Sequence, residues 1–147
     1  EDVRGHHDER TVAGAGGTSW SQVEKLRYKD PLRKAAAEAF NSWGIPTKDC
    51  IVSVKSQLPK TPIVASGGMK TGLDAAKAIT IGADIVGFAR TLLQAATESV
   101  ESVIEVMDQI EFEMKMTMFG IGAIDLEALK NTNRVSIMGR SLLDEKL

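Results

Sequence analysis

Two short apolar segments joined through a helix-length stretch constrain the fold of this chain more than any other feature. Residues 62–66, PIVAS, are followed by two glycines and by a predicted helix from about Thr71 to Ile81, which Gly82 ends. A second apolar segment, residues 83–88, follows at once. Strands connected in this way through a helix lie parallel in one sheet. The segment therefore predicts a βαβ unit.

Helix signals precede this unit. Ser19 with Gln22, or Ser21 with Glu24, fits the capping box of a helix start. An Asp-Pro pair then marks a helix over residues 32–43. Another helix is predicted between prolines 46 and 59, with apolar residues on one face. These signals favour a chain in which helices and strands alternate.

A long amphipathic helix follows the unit. A run from Arg90 begins one helix, and apolar residues spaced three and four apart between Val100 and Met118 predict a longer one. Residues 125–147 suggest a short helix and a strand at 135–138. Alternating helices and strands are typical of an α/β fold with a parallel sheet covered by helices.

Length and charge exclude several classes of protein. The chain has 147 residues, whereas a complete β/α barrel needs about 250, so any barrel here must be partial. The net charge is −2 and neither sign forms a long block, so nucleic acid is not an expected partner. The sequence contains no apolar run long enough to span a membrane, and residues 1–10 do not resemble a signal peptide. We expect a cytoplasmic protein.

Two turns after predicted strands carry the candidate chemistry. Each has a glycine and a cation and opens into a helix, whose first backbone N–H groups favour an anion. The loops after the last two strands of a β/α barrel form its recurrent phosphate site. The residues predicted to hold phosphate are Gly67, Gly68, Met69, Lys70, Ala89 and Arg90.

A third glycine-rich stretch, residues 14–18, permits two interpretations. It can lie under a planar cofactor, with the Thr18 hydroxyl donating a hydrogen bond, or it can form a flexible arm. It matches neither a phosphate-binding P-loop nor a dinucleotide fingerprint.

No catalytic or metal-binding residue is predicted in this chain. Cys50 lies in an amphipathic helix and is expected to pack rather than react. His6 and His7 stand in a polar stretch and are expected to be surface residues. The sequence contains no zinc-ligand motif and no nucleophile motif.

The chain resembles the type 2 isopentenyl-diphosphate isomerases in four features taken together. These are the stretches TVAGAGGTSW, GIPT and IVASGGMKTGLDAAKAITIGADIVGFAR and the Met-rich helix. The resemblance runs from about Val12 nearly to the C-terminus. It implies the fold of an FMN-binding (β/α)8 barrel. It also places Thr18 against the flavin, residues 67–70 in the first phosphate turn, and Ala89 with Arg90 in the second.

The resemblance further implies a cytoplasmic, homo-oligomeric enzyme that interconverts isopentenyl and dimethylallyl diphosphate on reduced FMN. Mg²⁺ would hold the diphosphate, and NADPH would reduce the flavin. Lys70 stands where many members have arginine. A lysine can pair with phosphate, but it lacks the two parallel N–H donors of a guanidinium.

Several parts of the family pattern have no counterpart in this sequence, including the basic substrate motif and the stretch of His, Asn, Gln and Glu that contacts metal and substrate. We therefore expect about strands six to eight of the barrel, in residues 12–147, without a complete substrate pocket. Residues 1–11 are expected to be a polar leader, disordered or foreign to the fold.

Two alternatives stay open. One is an FMN-dependent oxidoreductase of the 2-hydroxy-acid oxidase class, which shares the glycine turn but needs a histidine-and-arginine pair for the substrate carboxylate. The other is a non-catalytic part-barrel that self-associates or binds the missing half through its open sheet edge.

Overall fold

The computed structural model describes residues 10–17 and 19–135. Its sheet has three parallel strands in the order β1-β2-β3, namely Arg10–Ala13, Ile63–Ser66 and Ile85–Val86. Val12 pairs with Ala65, and Ala65 pairs with Val86. The predicted βαβ unit is confirmed, and the described part of the chain is an α/β fragment.

Seven helices accompany the strands within the described residues. They are α1 Trp20–Arg27, α2 Pro31–Glu38, α3 Thr47–Gln57, α4 Gly72–Thr80, α5 Arg90–Glu98, α6 Val100–Ile121 and α7 Leu126–Lys130. The described segments contain no helix with the length and apolar character that crossing a membrane requires.

Two apolar clusters hold these elements together. The first joins the sheet to α3 and α4, and its buried members are Val12, Ile51, Ile63, Ala65, Ala78 and Ala83. The second lies where α4, α6 and α7 meet, and its buried members are Ala76, Ile79, Ala123 and Leu129. Met114 and Met118 pack against this second cluster, as expected of flexible side chains that fill irregular gaps.

Some predicted boundaries differ from the structure. Strand β1 begins at Arg10 and pairs with β2 from there, two residues before the predicted start of the fold at Val12. The remainder of the predicted leader, with both histidines, lies outside the described residues. Val135 is not in a strand, and the rest of the predicted strand at 135–138 also lies outside them.

Helix α2 is shorter than predicted. It ends at Glu38 because the N–H groups of Ala39, Phe40 and Asn41 bond to carbonyls three residues back rather than four. Ser19 does precede α1, but its side chain makes no capping bond. Its hydroxyl instead lies 2.8 Å from that of Ser21, so the capping box predicted there does not form.

Candidate cofactor-binding cleft

The carboxyl ends of β2 and β3 open onto a cleft of about 740 Å³. Side chains and backbone of both predicted turns line it, together with the glycine stretch after β1. The predicted residues that it brings together are Gly67, Gly68, Met69, Lys70, Ala89 and Arg90. Thr18 lies outside the described residues.

The turn after β2 has a backbone that requires glycine. Gly67 and Gly68 have φ angles of +87° and +84°, a region that other residues enter at a cost. A Cβ at Gly68 would stand 2.0 Å from the carbonyl oxygen of Gly16, and one at Gly16 would stand 2.7 Å from that of Gly67. The glycine stretch after β1 therefore packs backbone to backbone against this turn.

The start of α4 is occupied by carboxylates, which corrects the expectation that it offers free N–H groups. Asp74 accepts hydrogen bonds of 3.1 Å from the N–H groups of Lys70 and Thr71. The Thr71 hydroxyl oxygen in turn accepts a hydrogen bond from the Asp74 N–H, which completes a capping box. Glu113 accepts from the Gly72 N–H at 2.7 Å. An anion therefore gains nothing from these donors.

The start of α5 is open instead. Its N-cap is Ala89, which has no side-chain acceptor. Among the described residues, the N–H groups of Arg90 and Thr91 have no hydrogen-bond acceptor. The Thr91 hydroxyl donates to the Met69 carbonyl at 3.2 Å and ties this turn to the one after β2. The helix start thus presents unsatisfied donors to the cleft.

Two cations flank these donors. Lys70 and Arg90 are both exposed and line the cleft. Within the part of the chain that the structure describes, neither has a carboxylate within ion-pair distance. Donors and positive charge without a protein counter-ion make an anion site.

The model of the FMN-dependent dehydrogenase family matches residues 43–136, which include both turns. The chain belongs to this FMN-dependent dehydrogenase family. FMN carries a phosphate, so the family supports FMN as the bound group.

Curated relatives confirm the narrower resemblance. The chain is 76% identical over 134 residues to the isopentenyl-diphosphate delta-isomerase of Oceanobacillus iheyensis, covering 91% of this chain and 38% of that protein. It is 47% identical over 124 residues to the enzyme of the same name from Vibrio campbellii, covering 84% of this chain and 37% of that protein. The chain thus spans little more than a third of the length of these relatives.

Solved structures show the fold. A Pediococcus acidilactici protein described as a lactate oxidase superposes with a TM-score of 0.56 and 24% identity, covering 61% of this chain and 26% of that one. A mutant flavocytochrome b2 with benzoylformate gives a TM-score of 0.56 and 17% identity, covering 88% of this chain and 44% of that one. Both are TIM barrels, and this chain matches them as a partial α/β fragment.

Three side chains that shape the cleft were missed in the sequence. Asp74 stands three residues after Thr71, which is the capping-box spacing and was visible. The hydroxyls of Thr91 and Thr47 each donate a hydrogen bond to a backbone carbonyl about twenty residues away in sequence. No local sequence pattern predicts such a contact. Long-range partners of this kind become apparent only when the sheet is assembled.

The cleft combines open backbone donors with two cations. Within residues 10–17 and 19–135, no three His, Cys, Asp or Glu side chains come close enough to hold a metal ion. Cys50 is half-buried and packs against the first apolar cluster, so the packing role predicted for it is confirmed. The open start of α5 and the two cations can bind and orient a phosphate.

Proposed function

We propose that this chain is the C-terminal part of an FMN-dependent isomerase that interconverts isopentenyl and dimethylallyl diphosphate. In this proposal β1, β2 and β3 are strands six to eight of the barrel, and the cleft holds the FMN phosphate. The observation that carries it is the open start of α5, with Arg90, facing the turn that bears Lys70. The identity to isomerases supplies the reaction.

The cleft fits the phosphate of FMN in shape and charge. Glycine at positions 16, 67 and 68 keeps side chains out of the turn, and two exposed cations balance a dianion. When bound, reduced FMN would support the proton transfers of the reaction, in which the terminal carbon of the double bond gains one proton and the neighbouring CH2 loses another. The residues of this chain position the cofactor through its phosphate.

The proposal assigns catalysis to parts of the enzyme that these residues do not supply, so we expect no turnover from this chain alone. Mg²⁺, NADPH, a homo-oligomer and a cytoplasmic location belong to the whole enzyme in this proposal. Thr18 is proposed to contact the flavin.

An FMN titration followed by flavin fluorescence tests the cleft. Lys70→Ala and Arg90→Ala should each weaken FMN binding about tenfold or more, because each removes a charge-assisted contact with phosphate. The matched control is Lys60→Ala, since Lys60 is exposed and precedes β2 at the opposite end of the sheet. Equal affinity for all four chains would place the phosphate elsewhere.

A separate assay tests incompleteness. The purified chain is incubated with FMN, NADPH, Mg²⁺ and isopentenyl diphosphate, and dimethylallyl diphosphate is measured. No product is expected. Turnover would contradict the assignment of the catalytic residues to the rest of the enzyme.

A second candidate is an FMN-dependent oxidation of a 2-hydroxy acid, favoured by the barrel likeness to a protein described as a lactate oxidase. The identity to isomerases is much higher, and the two histidines of the sequence, His6 and His7, lie before the first strand. Loss of flavin absorbance on adding lactate without oxygen would support this alternative.

A third candidate is a part-barrel that binds another copy or the missing half. Large apolar side chains are exposed on α6 and beyond, with Phe119 and Ile124 at 89% and 91% exposure. Size-exclusion chromatography over a range of concentrations tests it. A monomer at every concentration would count against self-association.

A further inference from the structure

Thr47 stands out because it is polar and buried. Among residues 10–17 and 19–135 it is the one polar side chain that is buried, with 7% of its surface exposed. It is the first residue of α3, yet the cap of that helix is Pro46, which makes no side-chain bond. The Thr47 hydroxyl instead donates to the Gly67 carbonyl oxygen at 2.7 Å. A buried hydroxyl bonded twenty residues away fixes tertiary structure rather than its own helix.

The glycines of the cleft make room for this residue. A Cβ at Gly14 would lie 2.4 Å from the Thr47 backbone nitrogen. A Cβ at Gly16 or at Gly67 would lie 3.2 Å from the Thr47 hydroxyl oxygen. Thr47 therefore lies at the junction of the glycine stretch and the turn after β2.

The bond fixes the direction of one peptide group. No peptide bond among the described residues is cis, and in a trans peptide the C=O and N–H point in opposite directions. The Gly67 carbonyl faces Thr47, which does not line the cleft, whereas Gly67 and Gly68 do. The Gly68 N–H is thereby directed away from Thr47, and it has no hydrogen-bond acceptor among the described residues.

Among the described residues, the Thr47 hydroxyl is the one group that hydrogen-bonds to the Gly67 carbonyl. Glycine adopts positive and negative φ about equally well, and two consecutive glycines let the intervening peptide rotate. A rotated peptide would present a carbonyl oxygen to the cleft, and oxygen repels phosphate. One hydroxyl therefore decides whether this turn donates to an anion or opposes it.

We propose that Thr47 is a positioning residue for the FMN phosphate, which it never touches. By holding the Gly67 carbonyl, it keeps the Gly68 N–H available to the phosphate. The inference rests on the proposed function, since it concerns the same cleft and the same ligand.

The test compares FMN with riboflavin, which has the same ring and no phosphate. Thr47→Val keeps the shape of the side chain and removes the hydroxyl. It should weaken FMN binding about tenfold, the effect of one lost hydrogen bond to a charged group, and leave riboflavin binding unchanged. Thr47→Ser, which keeps the hydroxyl, should restore the preference for FMN.

A control separates positioning from general destabilisation. Ile51→Val removes one methyl group from a fully buried residue of the same helix and makes no change at the turn. It should lower the stability of the chain and leave the ratio of FMN to riboflavin affinity unchanged. An unchanged ratio in folded Thr47→Val would overturn the inference.

NMR of the unmodified chain tests the same inference and does not depend on the folding of a variant. On titration with FMN, the Gly68 amide resonance should move downfield, and riboflavin should not move it. FMN binding that leaves this resonance in place overturns the role of Thr47 while the phosphate site survives. If the unmodified chain binds FMN no more tightly than riboflavin, the proposed phosphate site fails, and this inference fails with it.

Discussion

The carboxylate of Glu113, in the middle of α6, accepts a 2.7 Å hydrogen bond from the N–H of Gly72 at the start of α4. Hydrogen bonds from Gln109 and from this N–H lower the pKa of Glu113. The contact joins α6 to α4, the helix that follows the turn after β2. It also satisfies a backbone donor at the start of α4.

Gly72 permits this contact because it has no side chain. A Cβ there would stand 2.1 Å from the Ile110 carbonyl oxygen and 2.4 Å from the Met114 nitrogen. Both are backbone atoms of a helix, which cannot move singly. Gly72→Ala should therefore lower the free energy of unfolding by about 1–3 kcal/mol or more, as overpacking does.

The matched control for Gly72→Ala is Gly120→Ala. Gly120 lies within α6, and a Cβ there would meet nothing within 4 Å. Alanine in an open helical position should raise the free energy of unfolding by about 0.5–1 kcal/mol. Urea unfolding of both variants measures the difference. Equal effects would mean that α4 and α6 do not approach as closely as described.

A second glycine pair separates backbone strain from a steric clash. Gly68 and Gly122 have φ angles of +84° and +76°, so alanine at either position costs about 1–2 kcal/mol for the left-handed backbone. A Cβ at Gly122 meets nothing within 4 Å, whereas one at Gly68 meets the Gly16 oxygen at 2.0 Å. Gly68→Ala should cost about 1–3 kcal/mol more. Thermal unfolding measures the stability of both variants. An equal loss of stability in the two would argue against the close packing of the glycine stretch.

The parts of the fold that depend on local signals were predictable. The glycine at position 82 has φ +119° at the end of α4, as a helix-ending glycine should. The strands on either side of α4 are short and apolar, so their formation follows from their composition. These features need no knowledge of distant residues.

Features that depend on tertiary contacts were not predictable. Residues 39–43 keep helical composition, but α2 has already ended, and the Phe40 and Trp43 rings meet edge to face at 5.7 Å. The Glu113 bond to Gly72 spans 41 residues of sequence. On α6 the periodic pattern gave one apolar face, yet Met107 is 45% exposed, because α4, α5 and α7 cover only part of it. The capping of α4 differs, since the spacing of Thr71 and Asp74 is a local pattern of the sequence.

The single cysteine offers a test of local electrostatics. Burial raises the pKa of the Cys50 thiol, and the negative charge of Asp49 raises it further. The rate of alkylation by iodoacetamide is proportional to the fraction of thiolate. The pH at which this rate begins to rise should therefore be higher for the folded chain than for the unfolded chain. Asp49→Asn should move the profile part of the way back. Identical profiles for folded and unfolded chains would show that the thiol is fully solvated.

At the opposite end of the sheet from the cleft, Asp84 binds three elements together. Its carboxylate lies 2.7 Å from the Lys130 ammonium and 3.6 Å from that of Lys55, and it accepts from the Ile63 N–H at 3.0 Å. Burial raises the pKa of Asp84, but the hydrogen bonds from Lys130 and Ile63 and the charge of Lys55 outweigh it, so the pKa is lowered. Asp84 thus holds α3, α7 and the start of β2 at the amino end of β3.

This lowered pKa makes the stability of the chain sensitive to acid in a predictable direction. A carboxyl group whose pKa is lower in the folded state stabilises that state at every pH above the ordinary aspartate pKa. This stabilisation is lost as the pH falls through the lowered pKa. Asp84→Asn keeps an acceptor for the Ile63 N–H and loses both ammonium contacts. It should lower the free energy of unfolding by about 1–2 kcal/mol at neutral pH, and the difference from the unmodified chain should shrink in acid.

Asp30→Asn is the matched control for Asp84→Asn. Asp30 caps α2 through the Leu32 N–H, a role that asparagine also fills, and its pair with Arg33 is exposed and 3.7 Å long. Exposed pairs contribute about 0–1 kcal/mol, so Asp30→Asn should change stability little at any pH. Urea unfolding over a pH series measures both variants. A difference for Asp84→Asn that stayed constant into acid would mean that the ammonium contacts do not lower the pKa of Asp84, and that asparagine is destabilising there through packing alone.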